Sequence, residues 1–441
     1  MLPDFDPAQE EQLAQFLRPH GKEGEHIAFA HLPAIFAPLQ RKVQQLNPVI
    51  VIIAGTNGKG ETAYRLQNLL QQAGISTALW MSPHIFTLRE RITFNGQMLS
   101  YAEWQDLLEQ TSQAVATAPL SYYEFLFYAF LQSFLQRPAQ VMLLEVGLGG
   151  RWDAVNLLDA DLSVLTSIGR DHQALLGKTY RAILTEKLGV TRPQQILLSA
   201  LELKYCQQIT QAWANQYQLR WQDLFVSRKL RAADDYSQRN AALAAQAASI
   251  VQTLVGQRTI AAPGLPAGPH RSCRSWAQGP GRREFWPKKI TGPWISADVR
   301  PPRWLFIGGH NPDGIRKMIA YLQQNQIHID QVLASFSQRP WDDLKLNLRL
   351  LGTINGRPPI TLAAFAHPKA VALADLQNLA RDVCLAVPVK VKCWHQKLQE
   401  EFAHEAGTTL VTGSFYFVGL VQHTCWAGAS GLRRSGGVCH R

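Results

Sequence analysis

The sequence predicts an α/β protein in two parts: a larger P-loop-type domain on a mostly parallel sheet, then a smaller Rossmann-like α/β domain. Three observations lead there. Strand-like and helical patterns alternate over the first 255 residues, the signature of a parallel sheet flanked by helices. An apolar strand from Ile50 to Ala54 passes directly into Gly55-Thr56-Asn57-Gly58-Lys59-Gly60 and then into a helical pattern. After a stretch rich in Pro, Gly, Ala and Arg, a second strand and helix series starts near Trp304.

In chain order, residues 48–54 read as a strand, 61–73 as a helix closed by Gly74, and 76–81 as a second strand. Residues 121–136 form an apolar, aromatic helix. The strand 140–146 breaks into Gly147-Leu148-Gly149-Gly150, and 162–168 is a further buried strand. Helices at 179–189 and 239–255 close the first domain. Residues 256–280 have no periodicity and read as a linker. The second series comprises strands at 304–307, 331–335, 359–364 and 408–412, with helices at 313–324 and 372–383. This divides the chain into an N-terminal domain over 1–280, a C-terminal domain over 281–426 and a flexible tail over 427–441.

Composition narrows the function classes. The 441 residues call for about two to three domains. Nothing approaches the ~20 apolar residues of a membrane span, and the early Asp4, Asp6, Glu10 and Glu11 do not resemble the basic start of a signal peptide. A cytoplasmic protein with no membrane partner is expected. The six cysteines include no Cys-x-x-Cys pair, which fits reduced thiols better than a zinc site or disulfide framework. The net charge of +11 is concentrated in Arg271, Arg274, Arg282, Arg283, Lys288 and Lys289 and in Arg433, Arg434 and Arg441. No nucleic-acid module accompanies it, so the expected partners are polyanionic small molecules and not nucleic acid.

The segment 55–60 carries the strongest chemical signal. Three glycines let the main chain turn tightly and aim N–H groups at phosphate oxygens, Lys59 adds a point charge, and the following helix adds its positive end. Other polar groups recur where apolar strands end: Ser82 and His84, then Glu145, then Asp171 and His172. Singly these are caps, buried ion-pair partners or core histidines. Together, beside a phosphate loop, they outline a ligand site at the carboxyl ends of parallel strands.

The order of motifs is also specific. Gly55-Thr56-Asn57-Gly58-Lys59-Gly60, Ser82-Pro83-His84, Tyr122-Tyr123-Glu124-Phe125 and the run from Leu144 to Asn156 are followed by Thr166 to His172, Glu186-Lys187-Leu188-Gly189-Val190 and Gln238-Arg239-Asn240. Pro280-Gly281-Arg282, Gly309-His310-Asn311-Pro312-Asp313-Gly314 and Val411 to Gly419 complete the series. Over roughly residues 45–420 the chain resembles folylpolyglutamate synthase/dihydrofolate synthase, of the Mur ligase superfamily. The resemblance implies an ATP-dependent ligase that joins L-glutamate to the carboxylate of dihydropteroate or a folate through an acyl phosphate. It implies ATP and Mg2+, room for a second cation (K+ or Mg2+), and a monomer.

By the same resemblance, Thr56, Asn57, Gly58, Lys59, Gly60, Glu61 and Thr62 would hold ATP, together with Asn240, Arg282 and His310. Ser82, Glu145 and His172 would ligate the metal. Lys59, His172 and Lys187 would serve catalysis, Lys187 matching a lysine that is often carbamylated. Tyr122, Tyr123, Glu124, Arg151 and Asp153 would receive the pteroate portion, where aromatic rings suit a flat heterocycle. Two positions depart from the pattern. Glu61 stands where serine is usual; it could ligate metal, favour the helix N-terminus or point away while Thr62 supplies a hydroxyl. Ile307 stands where an aspartate is usual, and Gly21 to His26 match the pterin-contacting segment poorly. These departures leave two rival expectations, a relative that binds nucleotide or folate without ligating, and a Mur-type ligase for a cell-wall precursor.

Overall fold

The structure is a computed structural model that describes residues 6–21, 29–116, 118–231, 234–261, 295–297, 303–395, 402 and 407–429. Among these, residues up to 234 and from 238 to 261 form one compact unit, and residues from 295 onward, with 235–237, form a second.

The first unit opens with helices α1 (Pro7–Leu17) and α2 (Leu32–Leu46). Asp6 caps α1 by accepting from the Ala8 N–H, and Pro7 occupies the first turn, where a missing donor costs nothing. Strand β1 (Val49–Ala54) leads into α3 (Lys59–Gln72), followed by β2 (Thr77–Trp80), β3 (Ile92–Phe94) and β4 (Gln97–Met98). Helices α4 (Tyr101–Ala114) and α5 (Tyr122–Gln136) each begin with a capping box, Ser100 with Glu103 and Ser121 with Glu124. Then come β5 (Val141–Glu145), β6 (Leu162–Leu165), α6 (Gln173–Leu176), α7 (Tyr180–Leu188), β7 (Ile196–Ser199), α8 (Lys204–Tyr217), β8 (Arg220–Asp223) and α9 (Tyr236–Ala261).

The strands make one sheet in the order β4-β3-β2-β5-β1-β6-β7-β8. It is parallel from β2 to β8, with β3 and β4 antiparallel at one edge. All six residues of β1 are buried, as expected of a central parallel strand covered on both faces. Its alternate residues go to opposite cores. Ile50, Ile52 and Ala54 pack with Phe36, Trp80, Phe125 and Phe127, while Val49, Val51 and Ile53 pack with Leu66 and Leu70 of α3 and Leu243, Ala247 and Val251 of α9. Burying such side chains stabilises the unit by about 1.5–3 kcal/mol each. The register of β1 with β5 and β6 brings their carboxyl ends, and hence the loops beyond Ala54, Glu145 and Leu165, to one edge of the sheet.

The second unit has the sheet order β13-β12-β11-β14-β10-β9, from β9 (Ile295–Ala297), β10 (Arg303–Ile307), β11 (Gln331–Ser335), β12 (Ile360–Ala364), β13 (Val389–Cys393) and β14 (Thr408–Gly413). Only β9 runs antiparallel. Helices α10 (Pro312–Gln324), α11 (Trp341–Leu351) and α12 (Leu373–Val383) pack Ile315, Met318, Leu348 and Leu376 against it, and α13 (Phe415–Ala429) adds Phe417 and Val421.

The two-part α/β reading therefore describes the molecule, and every strand and helix expected from the pattern is present within a few residues. Differences lie at the ends. Helix α9 runs six residues into the segment read as linker, to Ala261, and α13 runs through Ala429, three residues into the segment read as tail. The rest of both segments lies outside the described residues. Helices α1, α2, α4, α6, α8, α11 and α13 and strands β3, β4, β7, β8, β9 and β13 were not anticipated. Among the described residues no helix is long and apolar enough to cross a membrane, and Cys206 and Cys384 are free thiols.

Candidate functional site

Beyond β1 the main chain turns through two glycines that no other residue could replace without strain. Gly55 has φ +150°, and a Cβ there would lie 1.9 Å from Thr166 Oγ1; Gly58 has φ +86° and ends against Asn240. The turn is held from the residues just beyond β6. The Thr56 N–H donates to the Ser167 carbonyl at 2.8 Å, the Asn57 N–H to Ser167 Oγ at 3.0 Å, and Thr166 Oγ1 donates to the Asn57 carbonyl at 2.7 Å. Thr56 Oγ1 closes the turn against Gly169, donating to its carbonyl at 3.1 Å and accepting from its N–H at 3.0 Å. Helix α3 starts at Lys59, and its first main-chain bond comes from Thr62 N–H to the Gly58 carbonyl. The N–H groups of Gly58, Lys59 and Gly60 take no partner among the described residues. Three free donors at a helix N-terminus beside a lysine make an anion site.

Glu61, one turn into the helix, is buried. Its Oε1 accepts from Arg65 Nε at 3.0 Å and Nη2 at 2.8 Å, and its Oε2 accepts from Asn240 Nδ2 at 2.8 Å. Beside it, Thr62 Oγ1 is buried with no hydrogen-bond partner among the described residues.

Glu145, the last residue of β5, lies deep in the unit, and its Oε2 accepts the Ser82 N–H at 3.1 Å. Burial pushes its carboxyl up to about 7, against the pull of Lys59, the Ser82 N–H and Arg91. Lys187, on α7, is also buried; burial first and the Lys59 charge second push its amine down to about 7, and its Nζ donates to the Gly149 carbonyl at 3.5 Å. Lys59 thus acts on both Glu145 and Lys187, which places the three in one electrostatic neighbourhood. Asp171 follows β6 and accepts the His172 N–H at 3.0 Å; its second oxygen lies 3.9 Å from His172 Nε2. His172 has a left-handed backbone, φ 49°, and a half-exposed ring.

A divalent ion suits this donor set. Glu145 and the Ser82 hydroxyl are oxygen ligands of the kind magnesium takes, and the buried carboxylate gains from a nearby cation. Among the described residues no three His, Cys, Asp or Glu side chains form a cage, as expected when phosphate oxygens and water supply most of the ligands.

The loop after β5 is organised from within. Asp153 Oδ2 accepts the N–H groups of Gly147 at 2.9 Å and Leu148 at 3.0 Å, and Oδ1 accepts that of Val155 at 3.0 Å and the Tyr123 hydroxyl at 3.0 Å. Tyr123 meets Trp80 edge-on and accepts its indole N–H at 3.1 Å. Glu124 accepts the Ser121 N–H in the capping box, Arg91 lies 5.5 Å over the Tyr122 ring, and Arg151 approaches Glu186 at 3.9 Å.

No family model matches the chain. A dihydrofolate synthase/folylpolyglutamate synthase of Bacillus subtilis is 28% identical over 401 residues, covering 84% of this chain and 89% of that one. The enzyme of the same name from Escherichia coli is 38% identical over 148 residues, about a third of each chain (34% and 35%). Among solved structures, Escherichia coli FolC in complex with DHPP and ADP superposes with a TM-score of 0.71 at 24% identity, over 96% of this chain and 98% of that one. A bifunctional folylpolyglutamate synthase/dihydrofolate synthase with Mn, AMPPNP and L-glutamate bound gives 0.70 at 23% identity, over 94% and 98%. The structural likeness establishes the two-domain fold, and the sequence likeness carries the kinship. Over most of its length the chain is similar to dihydrofolate synthase/folylpolyglutamate synthases. Neither a ligation-defective relative nor a cell-wall ligase is favoured by these matches.

Of the residues that the family resemblance singled out, the first unit gathers Lys59, Ser82, Glu145, Asp171, His172, Lys187 and Asn240 around the strand ends. His310 belongs to the second unit, where its ring lies 4.6 Å from that of Phe415. Ile307 is a buried apolar residue at the end of β10, and Arg282 and the 22–26 part of the pterin-contacting segment lie outside the described residues. Sequence reasoning missed Glu90, whose carboxylate accepts the N–H groups of Ile85, Phe86 and Thr87 at 2.7, 2.8 and 3.0 Å and so shapes the loop that follows Ser82. The capping box Thr87-x-x-Glu90 was the available signal. It also missed Ser337, whose hydroxyl lies 2.9 Å from that of Ser414 at the strand ends of the second sheet.

Proposed function

We propose that this chain uses ATP to join L-glutamate to the carboxylate of dihydropteroate, of a folate, or of both. The chain is an ATP-dependent amide-forming ligase. The observation that carries the reading is the grouping of Lys59, Glu145 and Lys187 beside an open anion site at one edge of the sheet. Carboxylate activation needs that combination. A carboxylate resists amine attack until one oxygen becomes a good leaving group, and phosphoryl transfer asks for positioning and charge neutralisation more than for protein nucleophiles.

In the proposed reaction the acid oxygen of the pteroate compound attacks the γ-phosphorus, the bond to the β,γ-bridging oxygen breaks, and ADP departs. The glutamate amine then attacks the acyl carbon, phosphate leaves, and the amine loses a proton. The N–H groups of Gly58, Lys59 and Gly60, with Lys59 Nζ, hold the phosphates, Thr56 and Asn57 fix the turn, and Thr62 and Asn240 flank the nucleotide site; Arg282 and His310 are assigned to ATP by the family resemblance alone. Ser82, Glu145 and His172 would hold Mg2+, which neutralises phosphate charge when bound; a second cation, K+ or Mg2+, is part of the same reading. Tyr122, Glu124 and Arg151, with the loop that Tyr123 and Asp153 support, receive the pterin side. The buried Lys187 amine, with its affinity for protons reduced, suits carbamylation: its nitrogen bonds to the carbon of CO2, a proton is lost, and a cation becomes an anion. We place the nucleotide chemistry in residues 1–280, a glutamate-ligase role in 281–426, and the protein in the cytoplasm as a monomer.

Release of ADP measured with dihydropteroate, tetrahydrofolate and a nucleotide-linked muramoyl acid, each with and without L-glutamate, tests the reading. Turnover is expected only when L-glutamate accompanies one of the first two. Turnover with the muramoyl acid, or none at all, would overturn it. Lys187→Ala should lose about 100-fold in turnover and regain part of it with short carboxylic acids; full activity in that variant would remove the carbamate from the scheme.

A further inference from the structure

We infer that Glu61 is a positioning residue: with Arg65 and Asn240 it forms a clasp across the phosphate loop, and its charge is used inside the protein and not on a metal ion. The inference rests on the nucleotide reading of that loop. Glu61 is 1% exposed and has both oxygens engaged, Oε1 by the Arg65 guanidinium and Oε2 by the Asn240 amide. Arg65 sits one turn further along α3, so the ion pair lies along the helix. Asn240 comes from α9, 179 residues away in sequence.

The Asn240 amide is the surface on which the loop turns. A Cβ at Gly58 would lie 2.5 Å from its Oδ1 and 2.9 Å from its Cγ and Nδ2. The left-handed backbone of Gly58 and the flat amide therefore fit face to face, and Glu61 decides which way that amide faces by accepting from Nδ2. A carboxylate this near a triphosphate would repel it; the fork of Arg65 on Oε1 supplies the counter-charge. Preorganising the loop while cancelling its own charge is what allows a glutamate to stand here at all.

The test uses the full chain and ADP binding by calorimetry, with and without Mg2+. Arg65→Met should weaken ADP binding about ten-fold, and Glu61→Gln in the Arg65→Met background should recover it to within about three-fold of wild type. Glu61→Gln alone should weaken binding by the same factor with and without Mg2+, and should couple to Asn240→Ala, the pair losing no more than the worse single variant. A double variant as weak as Arg65→Met, or a Glu61→Gln loss confined to solutions with Mg2+, would overturn the clasp. Absence of ADP binding in the wild type would instead remove the nucleotide reading, so the two failures are distinguishable.

Discussion

After β1 the chain runs through Gly55, Gly58 and Gly60; after β5 it runs through Gly147, Gly149 and Gly150, and the two loops use their main-chain N–H groups in opposite ways. The second loop brings its own anion. Asp153 takes the N–H groups of Gly147, Leu148 and Val155, and the loop packs so closely on α7 that a Cβ at Gly150 would lie 2.9 Å from the Glu186 carbonyl. The first loop is braced by hydroxyls and carbonyls from the residues just beyond β6, and its donors at Gly58, Lys59 and Gly60 stay available. Glycine content alone therefore does not mark an anion site. What marks it is whether a carboxylate of the chain already occupies the amides, and whether a cation stands beside them.

Two variants would break this contrast where it is strongest. Lys59→Ala removes the cation from the open loop and should lower turnover by about 1,000-fold, with the melting temperature shifted by about 2 °C or less because the side chain is only partly buried. Near-normal turnover would refute the assignment of the loop. Asp153→Asn acts on the closed loop, replacing a charged acceptor by an amide that presents N–H to N–H. A loss of about 2 kcal/mol in stability is expected, seen as a melting temperature lower by about 4–8 °C, with ADP affinity unchanged. If calorimetry instead showed ADP affinity lost at wild-type stability, the division of labour between the loops would be wrong.

The legible part of this molecule was the part encoded over short distances. A six-residue apolar run ending in glycines and a lysine states strand, turn and phosphate site within fourteen or so residues, and the repeated strand and helix periods state a parallel sheet. They do not state its order: β5 enters between β1 and β2 although β2 comes first in the chain. Contacts between distant residues were likewise invisible. Nothing local joins Glu61 to Asn240, or turns Tyr123 from an expected stacking surface into a hydroxyl that supports Asp153 beneath the β5 loop. Helix α2 escaped because Pro38 interrupts its pattern, whereas Ser100-x-x-Glu103 announced α4 and went unread.

The loop between Ser82 and Ile92 offers the smallest and sharpest test, because it repeats the closed arrangement with one difference. Like Asp153, Glu90 fills a row of amides, those of Ile85, Phe86 and Thr87. Unlike Asp153, it shares its surroundings with a second acid, Glu10 of α1, which accepts the Leu88 N–H at 3.1 Å and the Tyr101 hydroxyl at 2.8 Å. Burial, with a smaller push from Glu10, raises the Glu90 carboxyl from 4.5 to about 7, although the three amides favour its ionised form. A carboxyl whose affinity for protons rises on folding stabilises the protein fully below about pH 4.5, and that contribution is lost as pH climbs through about 7. The shift bounds the effect at about 3 kcal/mol. Glu90→Gln cannot ionise, so its melting temperature relative to wild type should rise between pH 5 and pH 8, by a few degrees. A difference that stays level across that range would show that the amides hold Glu90 ionised throughout, and the β2 and β5 loops would then be closed by the same device in the same charge state.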